Sequence, residues 1–85
     1  MARIRLYALP DFQGENVEFT GEVRNLGEYN FNDKLQSFEV IEGNWQFYEH
    51  SEFRGNAGHA FGPGKVNWIE SHAINRNSIS SLRPV

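Results

Sequence analysis

The fold is decided by the stretches YALPDFQG (residues 7–14) and YEHSEFRG (residues 48–55), which share the frame Tyr-x4-Phe-x-Gly at an offset of 41. A second pair, NDKLQSFEV (residues 32–40) and RNSISSLRP (residues 76–84), matches at an offset of 44. Both pairs occur in the same order, with three extra residues in the second copy. This repetition predicts two copies of a four-strand unit of about 40 residues, and therefore a duplicated all-β fold.

Each repeated element has a local physical explanation. An aromatic residue before a tight hairpin can pack on the aromatic residue after it, and the glycine permits a backbone with positive φ. In the second element, short oxygen-bearing side chains project from a loop that enters a strand, which is ordinary turn chemistry when it occurs once. Their occurrence twice, in the same order, makes coincidence a poor explanation.

The rest of the chain is rich in strand signals. Apolar and polar residues alternate in residues 3–9, 16–23, 37–43 and 44–50, placing for example Ile4 and Leu6 on one face. Glycine, proline and asparagine punctuate these runs. Only residues 65–74 allow a helical turn. Many short strands separated by turns predict a sandwich or a barrel.

Composition excludes several classes of protein. The 85 residues carry a net charge of −3 and no cysteine, so disulfides, zinc-thiolate sites and a nucleic-acid-binding basic surface are not expected. No apolar run is long enough to span a membrane, and the start has no signal-peptide pattern. Nucleophile-elbow, phosphate-loop and HExxH motifs are missing, so we expect no enzyme. A cytoplasmic monomer is the default expectation.

The repeated motifs resemble the signature of the βγ-crystallin superfamily, an aromatic hairpin motif followed by (Asn/Asp)-(Asn/Asp)-x-x-(Ser/Thr)-Ser. The matching residues are Tyr7, Phe12, Gly14, Asn32, Asp33, Ser37, Tyr48, Phe53, Gly55, Asn77, Ser80 and Ser81. The resemblance implies one domain over residues 1–85 with two Greek keys, about residues 1–41 and 42–85, forming a two-sheet sandwich. A single domain with such complete motifs looks most like the microbial calcium-binding members.

That resemblance also implies a metal site. Microbial members typically bind two Ca²⁺ ions at one end of the sandwich, and each loop contributes to the other's site. Calcium accepts six to eight oxygen ligands at flexible angles. Carried over by position, the implied ligands are the carbonyls of Ala8, Lys34, Glu49 and Ser78, the side chains of Asn32 and Ser80, and the loop-fixing residues Asp33 and Asn77.

Two positions depart from the signature. Gln36 replaces the serine or threonine at the fifth position of the first loop, and Arg76 replaces the first Asn or Asp of the second. An arginine accepts no hydrogen bond, and two unit positive charges ~4 Å apart repel by roughly 4 kcal/mol near a protein surface, with Ca²⁺ doubling this. If the sites pair across loops, Asn32 and Ser80 form a competent site, whereas Gln36 and Arg76 form an impaired one. If each site uses its own loop, both are damaged.

Three further interpretations stay open. Affinity follows ligand charge, so we expect dissociation constants from micromolar to millimolar. Arg76 can also act as a tethered cation in place of Ca²⁺, in which case Arg76→Asp should improve calcium binding and weaken the ion-free fold. The alternatives to a calcium module are a structural or interaction domain that has largely lost calcium and, more remotely, a small barrel that binds sugars or oligonucleotides.

Overall fold

The computed structural model describes residues 2–32, 34–72, 74 and 78–85. Within these residues, the chain forms seven strands and two 3-10 turns. The strands are β1 (Arg3–Leu9), β2 (Gln13–Phe19), β3 (Ser37–Glu42), β4 (Trp45–His50), β5 (Arg54–Phe61), β6 (Gly64–Val66) and β7 (Ser81–Pro84). The 3-10 turns are Leu26–Tyr29 and Ile69–His72. The second lies within the segment that the sequence allowed to be helical, whereas the first was not predicted.

The strands form two antiparallel sheets. The four-stranded sheet has the order β2-β1-β3-β6, and the three-stranded sheet has the order β5-β4-β7. A single bridge between Val23 and Leu82 adds a fragment of a fourth strand beside β7. We call the part of the chain up to the end of β3 the first half and the part from β4 onward the second half. The two halves therefore exchange their third strands. β6 of the second half pairs in the four-stranded sheet, and the segment at Val23 of the first half pairs with β7 of the three-stranded sheet.

The alternation of the sequence places the core between the two sheets. Ile4 and Leu6 of β1 are fully buried, while the intervening Arg5 is not. The buried apolar residues are Ile4, Leu6, Phe19, Val23, Leu26, Phe31, Leu35, Phe38, Val40, Trp45, Phe47, Ala57, Phe61, Val66, Ile69, Ile74, Ile79 and Leu82. This burial confirms the predicted all-β fold with two packed sheets.

An aromatic cluster occupies the middle of that core. The ring of Phe38 in β3 lies 4.7 Å from Phe47 in β4 and 5.0 Å from Phe61 in β5, measured between ring centres. The Phe38–Phe61 pair is edge-to-face, an arrangement that aromatic quadrupoles favour. Because Phe38 belongs to one sheet and the other two rings to the other, the cluster fixes the two sheets against each other.

No helix among the residues that the structure describes is long and apolar enough to cross a bilayer.

Candidate metal site

The β1–β2 and β4–β5 hairpins have the same strained tip. Asp11 and Phe12 have φ values of 58° and 60°, and Glu52 and Phe53 have φ values of 60° and 59°. Bulky residues rarely adopt this left-handed conformation, so surrounding contacts must hold it. The same pair of unusual residues in both halves shows that the hairpin geometry is repeated along with the sequence.

A buried serine holds each tip. The Ser37 hydroxyl accepts a hydrogen bond from the Phe12 N–H at 3.1 Å and donates one to the Leu9 carbonyl at 2.6 Å. Ser81 makes the same two bonds in the second half, at 3.2 and 2.5 Å. Both serines are fully buried, so these bonds satisfy polar groups that no bulk water reaches. The last serine of each loop motif therefore stabilises a hairpin.

The other motif residues complete this hairpin. The rings of Tyr7 and Phe12 lie 5.6 Å apart and edge-to-face, and the corresponding rings of the second half lie 5.7 Å apart. Gly14 has a φ of 79°, and a Cβ there would stand 2.9 Å from the Leu9 Cγ. The frame Tyr-x4-Phe-x-Gly is thus explained by ring packing and by a position that excludes a side chain.

Each oxygen-rich loop lies against the hairpin of its own half. The Gln36 N–H donates to the Tyr7 carbonyl at 3.0 Å, and the Ser80 N–H donates to the Tyr48 carbonyl at 3.0 Å. Each tyrosine directly precedes the hairpin residue whose carbonyl was predicted to bind metal. The fifth loop position is therefore beside the expected hairpin ligand in both halves.

The two hairpin residues differ in their strand pairing. Ala8 lies at an irregularity of the β1–β2 register, whereas Glu49 lies opposite Gly55 in a continuous register of β4 and β5. Ala8 stands at a β-bulge, because this one residue of β1 lies opposite two residues of β2, Gly14 and Glu15. A bulge disrupts the ladder locally, so the backbone next to Ala8 departs from the regular hydrogen-bonding geometry of the sheet.

The connection after β2 links the first loop to the second. The Leu26 N–H donates to the Ser80 carbonyl at 2.8 Å, and the Leu26 carbonyl accepts from the Phe31 N–H at 3.1 Å. Phe31 directly precedes Asn32, which is exposed. The start of the first loop therefore approaches the fifth position of the second loop through one shared residue, Leu26.

The connection after β6 makes the corresponding link in the other direction. The Ile69 N–H donates to the Gln36 carbonyl at 3.0 Å, and its carbonyl accepts from the Ile74 N–H at 3.3 Å. Phe31 before the first loop and Ile74 before the second are thus each linked, through one residue, to the fifth residue of the other loop.

The hairpin tips are also bound by the opposite half. The Asp11 N–H donates to the Asn67 carbonyl at 2.9 Å, and the Asn67 amide donates to the Asp11 carboxylate at 3.3 Å. In the second half, the Glu52 N–H donates to the Arg24 carbonyl at 2.8 Å, and the two side chains form an ion pair at 2.7 Å. The hydrogen bond to Glu52 raises the pKa of the Arg24 guanidinium.

Three of the predicted site residues, Asp33, Arg76 and Asn77, lie outside the described residues. The cross-loop hypothesis therefore depends on the neighbours of these positions for its structural support.

The other predicted loop residues lie near the surface. Lys34 is partly buried, and its ammonium group is 3.3 Å from a Glu15 carboxylate oxygen. Ser78 and Ser80 are also partly buried. Sequence reasoning missed Glu15, which has no place in the motif, and gave no role to the last serine of each loop. The occurrence of that serine in both loops was a signal that could have indicated its role.

The candidate ligands in these loops and hairpins are mostly neutral oxygen atoms, which suit a hard cation. They are backbone carbonyls, a hydroxyl and amide oxygens, which belong to the ligand classes that Ca²⁺ accepts. No group of three or more histidine, aspartate or glutamate side chains that could hold a metal occurs among residues 2–32, 34–72, 74 and 78–85. The donor chemistry therefore fits calcium, but with few charged ligands.

The sequence profile of the Beta/Gamma crystallin family matches residues 3–85, and the chain belongs to this family. Human gamma-crystallin D is 34% identical over 84 residues, which are 98% of this chain and 47% of the relative. Human beta/gamma crystallin domain-containing protein 1 is 37% identical over 82 residues, which are 95% of this chain but 4% of that protein. The chain thus spans less than half the length of both relatives.

Two solved structures cover nearly the whole chain. A βγ-crystallin from an archaeon has a TM-score of 0.90 and 35% identity, covering 99% of this chain and 98% of its own. A transition-metal-ion-binding βγ-crystallin from Methanosaeta thermophila has a TM-score of 0.85 and 26% identity, covering 95% and 98%. Both likenesses agree with the two-sheet fold.

Proposed function

We propose that residues 1–85 form one calcium-binding βγ-crystallin domain with a competent site and an impaired site, and that calcium stabilises its fold. The competent site comprises the side chains of Asn32 and Ser80 with the Glu49 carbonyl. The impaired site comprises the Ala8 carbonyl with the side chains of Gln36 and Arg76. The carbonyls of Lys34 and Ser78 supply further oxygens.

The observation that carries this proposal is the double hydrogen bonding of Leu26. Its N–H bonds to the Ser80 carbonyl at 2.8 Å, and its carbonyl bonds to the Phe31 N–H at 3.1 Å. Ser80 in turn bonds to Tyr48, the residue before Glu49, at 3.0 Å. These contacts support the grouping of a first-loop asparagine with a second-loop serine, because they bring both loops to the same hairpin.

The opposite site has weaker chemistry. The bond from Ile69 to Gln36 and the bond from Gln36 to Tyr7 support the corresponding grouping of Gln36 with Ala8. A glutamine amide oxygen stands two carbons farther from the backbone than a serine hydroxyl, so this loop or the ion must shift for ligation. Arg76, by the family pattern, adds a positive charge to the same site.

Calcium would stabilise the fold because its ligands come from both halves. An ion that binds only the folded state adds about 2.7 kcal/mol at one hundred times its dissociation constant. In a domain of this size, each kcal/mol raises the melting temperature by about 4–8 °C. The metal-binding relative from Methanosaeta thermophila supports cation binding in this fold, although its metal is of a different class.

Thermal melts and calorimetric titration with CaCl₂ test the proposal. We expect a melting temperature several degrees higher in 10 mM CaCl₂ than in EDTA, with one strong binding step. Ser80→Ala should abolish that step. Ser71→Ala is the matched control, because this exposed hydroxyl donates to the nearby Trp68 carbonyl, at 2.6 Å, and has no place in the proposed site. Superimposable melts in CaCl₂ and EDTA would refute calcium binding.

That negative result would favour a structural or interaction domain that has largely lost calcium. The observation in favour of this second function is the similarity to human gamma-crystallin D, together with the small number of charged ligands at the loops. Titration therefore distinguishes the two functions directly.

A further inference from the structure

We propose that the ion pair between Lys34 and Glu15 controls cation binding at the impaired site, with Glu15 as an additional ligand that the lysine masks. This inference rests on the proposed function and deepens it. It concerns one carboxylate that the family motif does not include.

The position of Glu15 depends on the bulge in the first hairpin. Tyr7 pairs with Asn16, and Leu9 pairs with Gln13, so Gly14 and Glu15 both lie opposite Ala8. The extra residue therefore brings a carboxylate side chain to the strand segment that carries the Ala8 carbonyl. Glu15 is thus an acidic residue of β2 that the bulge places opposite Ala8.

The first loop reaches the same segment from the other side. Gln36 bonds through its N–H to the carbonyl of Tyr7, the residue before Ala8, at 3.0 Å. Lys34 lies two residues earlier in the loop, and its ammonium group is 3.3 Å from the Glu15 carboxylate. A carboxylate, a hairpin peptide and the glutamine of the impaired site thus converge on one end of β1.

The second half lacks this arrangement. Tyr48 pairs with Asn56, and His50 pairs with Arg54, so only Gly55 lies opposite Glu49. The third position of the second loop is the neutral Ser78 instead of a lysine. Within the part of the chain that the structure describes, a carboxylate paired with a loop lysine therefore occurs at the impaired site and not at the competent one.

Electrostatics gives the pair its proposed role. An ammonium group held beside a carboxylate cancels the charge that would attract a divalent cation. Both side chains are about half exposed, with relative accessibilities of 41% for Lys34 and 54% for Glu15. Exposed ion pairs are weak and are screened by salt, so removing the lysine should release the carboxylate without disturbing the fold.

Calorimetric titrations with CaCl₂ at low salt test this role in the wild type, Lys34→Gln, Glu15→Gln and the double variant. We expect Lys34→Gln to tighten the weaker binding step at least fivefold. The double variant should lose this gain, because it lacks the carboxylate. Raising KCl to 0.5 M should reduce the gain, since ions then screen the carboxylate.

Arg3→Gln is the matched control. Arg3 forms an exposed ion pair with Glu18 at the same distance, 3.3 Å, near the opposite end of β1. Its removal changes the net charge equally, and we expect calcium affinity to stay within twofold of the wild type. An equal gain in Arg3→Gln and Lys34→Gln would overturn the specific role of the pair, as would a gain that persists in the double variant.

Comparing the calcium titrations of the wild type and Lys34→Gln distinguishes failure of this inference from failure of the proposed function. If the wild type binds calcium and Lys34→Gln matches it within twofold, the ion-pair inference fails and the proposed function stands. If the wild type binds no calcium but Lys34→Gln does, the inference stands and the wild-type function fails. If neither binds, both fail. Melts of each variant in EDTA verify that folding is intact.

Discussion

The two halves of the molecule share their backbone contacts and differ in their exposed side chains. In both halves, the fifth loop residue bonds to the hairpin tyrosine at 3.0 Å, and a buried serine holds the hairpin tip. The contacts at the tips diverge: Asp11 meets the amide of Asn67, whereas Glu52 meets the guanidinium of Arg24. At the tips, the divergence is therefore in exposed side chains, where substitution costs little.

This difference separates fold from function. Buried peptide and hydroxyl groups must keep their partners, because an unsatisfied buried group costs about 1–3 kcal/mol. Exposed side chains carry no such constraint, so the halves have acquired different charges around the same backbone. The proposed inequality of the two calcium sites follows this division, since Gln36, Lys34 and Arg76 all lie in the loops.

The largest expected effects come from a pair of corresponding core positions at which the halves differ in sequence. Leu6 in β1 corresponds to Phe47 in β4, and both are fully buried. Phe47→Ala removes a ring that contacts Phe38 and Phe61, with an expected loss of about 3–5 kcal/mol, while Leu6→Ala should cost about 2–5 kcal/mol. Urea denaturation measures both values. Val85→Ala is the control, because Val85 is 62% exposed.

A larger loss for Leu6→Ala than for Phe47→Ala would show that the aromatic cluster is not the more important part of the core. The difference between the two stability losses would then reflect how far the structure relaxes around each cavity, and not the side-chain volume removed.

The serines give a smaller and more symmetrical effect. Ser37→Ala and Ser81→Ala each remove two part-buried hydrogen bonds, with an expected loss of about 1–3 kcal/mol. Because the bond lengths agree between the halves, the two losses should differ by less than ~0.5 kcal/mol. Urea denaturation is again the measurement, and Ser71→Ala should stay near the wild type. Clearly unequal losses would break the equivalence of the hairpins.

Exchanging the fifth loop residues tests the proposed inequality of the sites. Gln36→Ser places a short hydroxyl in the first loop, and we expect the weaker calcium step to tighten about tenfold, equivalent to ~1.4 kcal/mol. Ser80→Gln should weaken the stronger step by a similar factor. Calorimetric titration with CaCl₂ measures both changes. If neither exchange alters its own step, ligation does not depend on this position.

Much of the fold could be predicted from the sequence, because its determinants are local or periodic. Alternation identified Ile4 and Leu6 as core residues of β1, and the repeated frame placed both hairpins. The first 3-10 turn, Leu26–Tyr29, was missed, although Asn25 gave a local signal as a helix-capping residue. Its side chain accepts a hydrogen bond from the Gly27 N–H at 2.9 Å.

The candidate site was less predictable, because its geometry depends on contacts between distant segments. The bonds of Leu26 to Ser80 and of Ile69 to Gln36 join residues more than thirty positions apart, with no pattern in the sequence that reveals them. The proximity of Glu15 to Lys34 depends on a single bulge residue in β2. Motif matching supplied the proposed ligands, but it could not supply this neighbour.

The outer faces of the two sheets differ in charge. Across the four-stranded sheet, the register aligns Glu18, Arg5, Glu39 and Lys65 in a row of alternating sign. In the three-stranded sheet, the position that corresponds to Arg5 is Gln46, whose amide donates to backbone carbonyls of the neighbouring strand β5. Acid should therefore affect the four-stranded sheet more than the three-stranded one.

Glu18→Gln tests this with the smallest expected effect. The hydrogen bond from Arg5, at 2.6 Å, lowers the pKa of the Glu18 carboxyl below its usual 4.5. A carboxyl whose pKa is lower in the folded state stabilises the fold above its unfolded pKa, and this contribution is lost as the pH falls through the folded pKa. The variant should therefore melt slightly below the wild type at pH 7, with the two melting temperatures converging as the pH falls below 4.5.

Salt should also narrow the gap between the two melting temperatures, because the pair is exposed. Thermal melts from pH 7 to pH 3, with Gln46→Ala as the variant on the other sheet, measure both trends. A gap between Glu18→Gln and the wild type that does not change with pH would mean that the carboxylate acts by packing and not by charge.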